Sequence, residues 1–220
     1  MTRIGRHALN LRNDYLSPNS RAEHIMAMPA LQPRRWTSTE VRKLRGDNPR
    51  LTPRYELVDG ELLVTSSPSA LHQRIVSAFL RALHEYLRAT SVGEVYVSPS
   101  DVELEPEFLS QPDVFVVPRA EAMRLRREDF PVHALLVAIE VLSPTSRRHD
   151  RVRKRPKYQR HVHEYWIVDP DSRLIERWRS DDVRAESCTT QFTWQPPADV
   201  SPFTLDLEAL FADVFREAPE

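Results

Sequence analysis

Between Pro68 and Arg88, apolar residues recur every fourth position at Leu71, Ile75, Phe79, Leu83 and Leu87. That spacing lays them along one side of a long amphipathic helix. The pattern on either side of this helix is different. Arg54 to Val64 reads as two short strands around Asp59-Gly60, a dipeptide that suits a tight hairpin. Glu94 to Ser98, Asp101 to Leu104 and Asp113 to Val117 also read as strands. Leu135 to Leu142 is apolar at consecutive positions rather than alternating ones, which predicts a strand covered on both faces, at the centre of a sheet. Glu164 to Asp169 predicts another strand, Asp171-Ser172 turns the chain, and Leu174 to Trp178 returns antiparallel, with residues up to Trp194 adding edge strands. Two shorter helices complete the pattern. Thr37 and Glu40 have capping-box spacing, with Trp36 placed to staple onto Val41 and the helix running to about Leu44. Leu207 to Phe215 puts Leu207, Leu210, Phe211 and Val214 on one face.

Residues 1–35 show no sustained periodicity and carry Pro18, Pro29 and Pro33, so they predict a flexible N-terminal arm. Residues 36–216 form the domain. With 220 residues and 40 % hydrophobic content, the chain suffices for one well-buried α/β core. A formal charge of −1 excludes a global basic field, so any contact with phosphates must come from a local patch. One cysteine, Cys188, excludes a disulfide framework and a multi-thiolate zinc site, and fits a reducing, cytoplasmic address. No apolar run approaches the roughly 20 residues that span a bilayer.

Within this pattern, Glu140 is the residue hardest to explain by packing. It interrupts the doubly covered strand, and a buried carboxylate must be protonated, paired with a cation or bound to a metal. Asp113 opens the strand after Gln111-Pro112, where it can serve as a turn residue or point into a cleft. On neighbouring strands, the two could hold one or two Mg²⁺ (or Mn²⁺) ions. The third element is the segment from Arg147 to Arg160, with eight Lys or Arg residues and one acid. It is either a solvated basic helix or a phosphate-binding patch, with Arg147, Arg148, Arg151 and Lys157 as the contacts. Asp150, Lys154 and Tyr158 fall at i, i+4 and i+8 on one face of it. Three lysines among 31 basic residues make each lysine informative, because an ammonium and a guanidinium are not interchangeable. Pro156 should interrupt the helix, giving a short first turn carrying Lys154 and a restart from Pro156 onward. Glu56 is a secondary candidate, against an exposed strand glutamate. His72, one position off the apolar stripe, either orients water or phosphate or is a hydrogen-bonded histidine near the core.

In order along the chain, the sequence carries Tyr55-Glu56-Leu57-Val58-Asp59-Gly60-Glu61-Leu62, then Pro68 to His72, Pro112-Asp113-Val114 and Glu140-Val141-Leu142-Ser143-Pro144. Asp150, Lys154, Tyr158 and Glu164-Tyr165-Trp166-Ile167-Val168-Asp169 follow. Together these resemble the Uma-type restriction endonucleases of the PD-(D/E)XK superfamily, over about residues 36 to 215. The resemblance implies an α/β, restriction-endonuclease-like fold, a mixed central sheet flanked by helices with the active site at one sheet edge. It also implies a metal-dependent endonuclease acting on DNA, with Asp113 and Glu140 as metal ligands and Lys154 at the scissile phosphate or attacking water. Glu56, His72 and Tyr158 are secondary members of the site, and a homodimer is expected by analogy. The alternative is a non-cleaving nucleic-acid-binding or interaction protein on the same fold. Two departures stand out. The position two residues after the acid, where the superfamily places its lysine, is Leu142, so the lysine must come from the helix. The glycine that usually precedes Glu-Tyr-Trp is missing from the stretch Tyr158 to Glu164, which is one residue shorter and could distort the helix end.

Overall fold

The computed structural model of the chain describes residues 34–46 and 53–216. The expected arm, apart from Arg34 and Arg35, lies outside them. The first helix, α1 (Ser38–Gly46), opens on the predicted capping box. The Thr37 backbone N–H donates to the Glu40 carboxylate at 2.9 Å, and the Glu40 N–H donates to Thr37 Oγ1 at 3.3 Å. Trp36 packs in the same small cluster as Val41. Next come β1 (Arg54–Val58) and β2 (Glu61–Thr65). Asp59 (φ 53°) and Gly60 (φ 77°) join them, and this pair of positive φ angles matches strand twist in a two-residue hairpin.

The long helix α2 (Ala70–Thr90) buries Ile75, Val76, Phe79, Leu83 and Leu87. It starts where the Ser69 hydroxyl accepts from the His72 N–H at 3.1 Å, satisfying one of the free donors of the first turn. The chain then forms β3 (Gly93–Val97), β4 (Val102–Glu105), β5 (Phe108–Ser110), β6 (Val114–Pro118), α3 (Arg119–Leu125) and β7 (Leu135–Val141). A π-helical turn (His149–Lys154) leads directly into α4 (Arg155–His161), and β8 (Val162–Asp169) and β9 (Leu174–Trp178) follow. The last elements are β10 (Glu186–Cys188), β11 (Gln191–Trp194), β12 (Phe203–Asp206) and α5 (Leu207–Val214).

These strands make a mixed six-stranded sheet in the order β10-β9-β8-β7-β6-β3, in which only β7 and β8 are parallel. Every residue of β7 is buried, and the strand occupies the interior of the sheet. On one face, Val137, Ile139, Val141, Trp166 and Val168 pack against α2, α5 and the β11–β12 ribbon. On the other, Phe115, Val117, Ala138, Tyr165 and Ile167 meet Tyr158 of α4 and the residues Val58, Leu63, Val102 and Phe108.

These last four belong to a second, antiparallel sheet, β2-β1-β5-β4. The sequence predicts its hairpin but not the sheet, because β5 is a three-residue strand with no alternation. Likewise β11 pairs with β12 in a separate ribbon instead of edging the central sheet. The sheet also closes tightly at one point. A Cβ on Gly93 would lie 2.0 Å from the Val117 carbonyl oxygen, so β3 can approach β6 only without a side chain there.

Candidate active site

The β6–β7 register sets the geometry of the site. Val114 pairs with Ile139, and one further step places Asp113 opposite Glu140. Both carboxylates then project to the face covered by the second sheet and α4, because Phe115, Ala138 and Leu142 share their parity and pack there. Directly opposed residues have Cβ atoms about 4.5–5.5 Å apart, close enough for two carboxylates to share one cation. Asp113 and Glu140 are each only 3 % exposed, and both line a cleft of about 360 Å³ together with Arg54, Glu56, His72 and Lys154.

Asp113 is held by three donors. Arg54 Nη1 donates to Oδ1 at 2.9 Å, while His72 Nε2 (3.0 Å) and the Val141 backbone N–H (2.9 Å) meet Oδ2. Burial pushes its carboxyl up, but the His72 hydrogen bond, the Arg54 charge and the Val141 N–H outweigh this and hold it well below the usual aspartate value.

Lys154 reaches the site because the chain from β7 to β8 packs back over the sheet. Its ammonium sits 2.8 Å from Glu56 Oε2, 3.0 Å from Glu140 Oε1 and 3.4 Å from Asp150 Oδ1. Burial would push the amine down; the three carboxylates carry it well above the usual lysine value. It makes no ion pair with Asp113, so the sequence-based expectation of an ammonium beside both metal-ligand candidates holds for Glu140 alone. Glu56 accepts the Gln111 N–H at 2.8 Å, and Lys154 and Arg54 hold its carboxyl low against burial. Glu140 and Asp150 go the other way. Burial and the neighbouring carboxylates raise both despite Lys154. Fully ionised, the four buried acids (Glu56, Asp113, Glu140, Asp150) would exceed the two fixed cations (Arg54, Lys154) by two negative charges before His72 is counted, which is why the carboxyls of Glu140 and Asp150 are driven up.

The π-helical turn explains how Asp150 and Lys154 share a side with the sheet although Pro156 follows. A widened turn accommodates the ring of Pro156 where the π turn passes into α4, and the Arg151 carbonyl, which an N–H at position 156 would meet in that turn, accepts from Arg155 Nε at 3.0 Å instead. The missing glycine has a local answer too. At Val162 the chain leaves α4 in extended backbone (φ −115°, ψ 155°) and enters β8 at once, with no left-handed residue between. Tyr158 lies outside the cleft. It is fully buried, stacks on Tyr165 at 4.7 Å and donates to Ser110 Oγ at 2.9 Å.

Much of the basic segment is spent on neighbouring acids. Arg147 meets Asp171 at 2.7 Å, Arg151 meets Asp169 and Glu176 at 2.9 and 2.5 Å, and Lys157 lies between Asp59 and Glu105. Arg148 is exposed and has no side-chain partner among the described residues.

Sequence reasoning passed over Arg54 as a site residue. Strand parity could have found it, since Arg54 and Glu56 are two apart on β1 and share a face.

Residues 41–209 match the Uma2 family, described as "Putative restriction endonuclease". The chain belongs to the Uma2 family. Among solved structures, one described as "a putative nuclease belonging to DUF820" from Anabaena variabilis superposes with a TM-score of 0.62 at 17 % identity. The match covers 78 % of this chain and 97 % of that one. At that identity the likeness is one of fold, and it agrees with the mixed α/β architecture expected from the Uma-type pattern. No curated protein matches.

Proposed function

We propose that this Uma2 chain is a metal-dependent endonuclease that hydrolyses phosphodiester bonds of DNA, with Asp113, Glu140 and Lys154 at the reacting phosphate. The observation that carries the reading is a buried cluster of four acids around two cations, with Asp113 opposite Glu140, within a family described as "Putative restriction endonuclease". Ionising all four acids in a low-dielectric cleft is costly, as the raised carboxyls of Glu140 and Asp150 reflect, and one divalent cation would offset that cost. Among the described residues no three His, Cys, Asp or Glu side chains form a ready-made cage. The donor set nevertheless fits Mg²⁺, which is commonly held by one or two carboxylates and keeps several waters. Asp113 and Glu140 would hold it; when bound, it would polarise the phosphate and lower the pKa of a coordinated water.

The chain's own residues then have separate tasks. Val141 N–H, His72 and Arg54 fix the Asp113 carboxylate in one orientation. Lys154, held by Glu56 and Asp150 as well as Glu140, presents a fully charged ammonium to the developing negative charge on the phosphate. The buried ion pairs of the cleft, which need no metal to persist, favour a second reading, a non-cleaving nucleic-acid-binding or interaction protein on the same fold.

Calorimetric titration of Mg²⁺ and Mn²⁺ into wild type and into the Asp113→Asn, Glu140→Gln double variant separates the two. The nuclease reading expects a binding event that the double variant loses, together with metal-dependent nicking of plasmid DNA. Binding of DNA with neither a metal isotherm nor nicking supports the second reading.

A further inference from the structure

A second opening lies on the far side of Asp113 from Glu140. It is a slot of about 280 Å³ between the start of α2 and the end of β3, walled by Pro68, Val76, Val97 and Pro99. It shares Arg54, His72, Pro68 and Asp113 with the acidic cleft, so these residues form a partition between the two. In the sheet order β8-β7-β6-β3, the cleft spans the ends of β8, β7 and β6, and the slot lies one strand further on, at β3. A polymer strand crossing the end of the sheet would meet them in succession.

We propose that the slot takes the base of the nucleotide adjoining the scissile phosphate, turned out of its stack, while Arg54 at the partition meets the phosphate between the two openings. The proposal rests on the nuclease reading. The size of the slot suits one ring system, being just under the roughly 300 Å³ at which pockets for larger ligands begin, and it excludes a duplex or a helix. The chemistry of the slot suits a base as well. Two prolines and two valines give apolar walls for a ring, and the side-chain amide of Gln73, exposed at the slot and without a partner among the described residues, can donate to and accept from a base edge. The only acid lining it is Asp113, whose oxygens already have three donors. Arg54 uses Nη1 on Asp113, Ser98 Oγ and the Gln111 carbonyl, which leaves the other end of its fork for a phosphate oxygen. An unstacked base costs least from a single strand, so single-stranded or locally open substrates should bind better than closed duplex.

The test is an abasic scan. The cut is mapped first on a single-stranded oligonucleotide with Mg²⁺ or Mn²⁺. Affinities are then measured in EDTA for strands carrying one abasic site at successive positions, with wild type, Gln73→Ala and Gln73→Trp. Position 73 is exposed on α2, and melting curves verify that the variants fold. We expect one position beside the cut where loss of the base weakens binding about tenfold. The Trp plug should abolish that difference and weaken binding of the intact strand by a similar factor. If the strand is cut but abasic sites at every flanking position change affinity less than twofold, or if Gln73→Trp keeps the full base dependence, the slot is not the base subsite and the nuclease reading stands. If wild type neither cuts nor binds any strand, both proposals fall.

Discussion

At the level of single residues, the site turns on why Lys154 is a lysine in a chain that otherwise uses arginine. The residue is 4 % exposed, and its ammonium has carboxylate oxygens of three residues at 2.8, 3.0 and 3.4 Å. A planar guanidinium, wider and with its donors fixed in a fork, cannot occupy that point. Lys154→Arg is therefore expected to lower kcat about 10²–10³-fold, the usual cost of losing one preorganised donor. Lys157→Arg, in a more open ion pair with Asp59 and Glu105, should stay within a few-fold. Plasmid-nicking rates for the two variants, with melting curves as a folding check, decide the matter; a fully active Lys154→Arg would remove the lysine from the mechanism. The sequence made Glu140 and Lys154 legible because a charge in an apolar run and a rare residue type both stand out. Arg54 was hidden among 28 arginines, whereas Asp150 could be read from its i, i+4 spacing as sharing a face with Lys154; that the turn carrying the two is π-helical could not.

Among secondary-structure elements, legibility followed the length of the periodic signal. Helix α2, with five turns of one apolar stripe, and β7, buried throughout, were plain from spacing alone. Strand β5 and helix α3 were not, since three and seven residues carry too little periodicity to separate from loop. The placement of α4 against the second sheet was equally invisible, because it depends on pairs distant in sequence. Glu105, at the end of β4, meets Lys157 at 2.5 Å, Arg160 at 3.1 Å and His161 at 2.9 Å, all on α4. Burial raises its carboxyl, but these partners prevail and hold it down to about 2. The charged form is thus favoured by folding. The stabilisation is present above the unfolded glutamate value of about 4.3 and is lost as pH falls through about 2. Glu105→Gln should lower the Tm at pH 7 by about 2–4 °C, which corresponds to about 1 kcal/mol for a chain of this size. That difference should shrink as melts are run from about pH 4.3 down to about 2. A difference that stays constant over this range would show that the cluster does not tie α4 to β4.

For the molecule as a whole, the fold brings two sheets together over the end of β7, and Lys154 sits where they meet. Glu56 comes from the second sheet, Glu140 from the central sheet and Asp150 from the connection between β7 and β8. The mixed central sheet was anticipated through the resemblance to the Uma-type pattern, and the residues themselves gave only the doubly buried strand at its centre. The docking of a second sheet upon it could not, because the contacts that fix it, such as Val58 and Phe108 against the central sheet, join residues far apart in the chain. One ammonium ringed by acids from three parts of the chain also has a consequence for chemical reactivity. Acylating reagents attack the free amine, and a lysine that is buried and held strongly in its protonated form offers them almost none. Brief treatment with an N-hydroxysuccinimide ester, followed by mass spectrometry of peptides, should modify exposed Lys43 readily, Lys157 less, and Lys154 not at all. Adduct at Lys154 would then appear only as fast as the two sheets part, and its rate would clock the opening of the molecule at that seam. Labelling of Lys154 as quickly as Lys43 would mean that the seam is already open in solution.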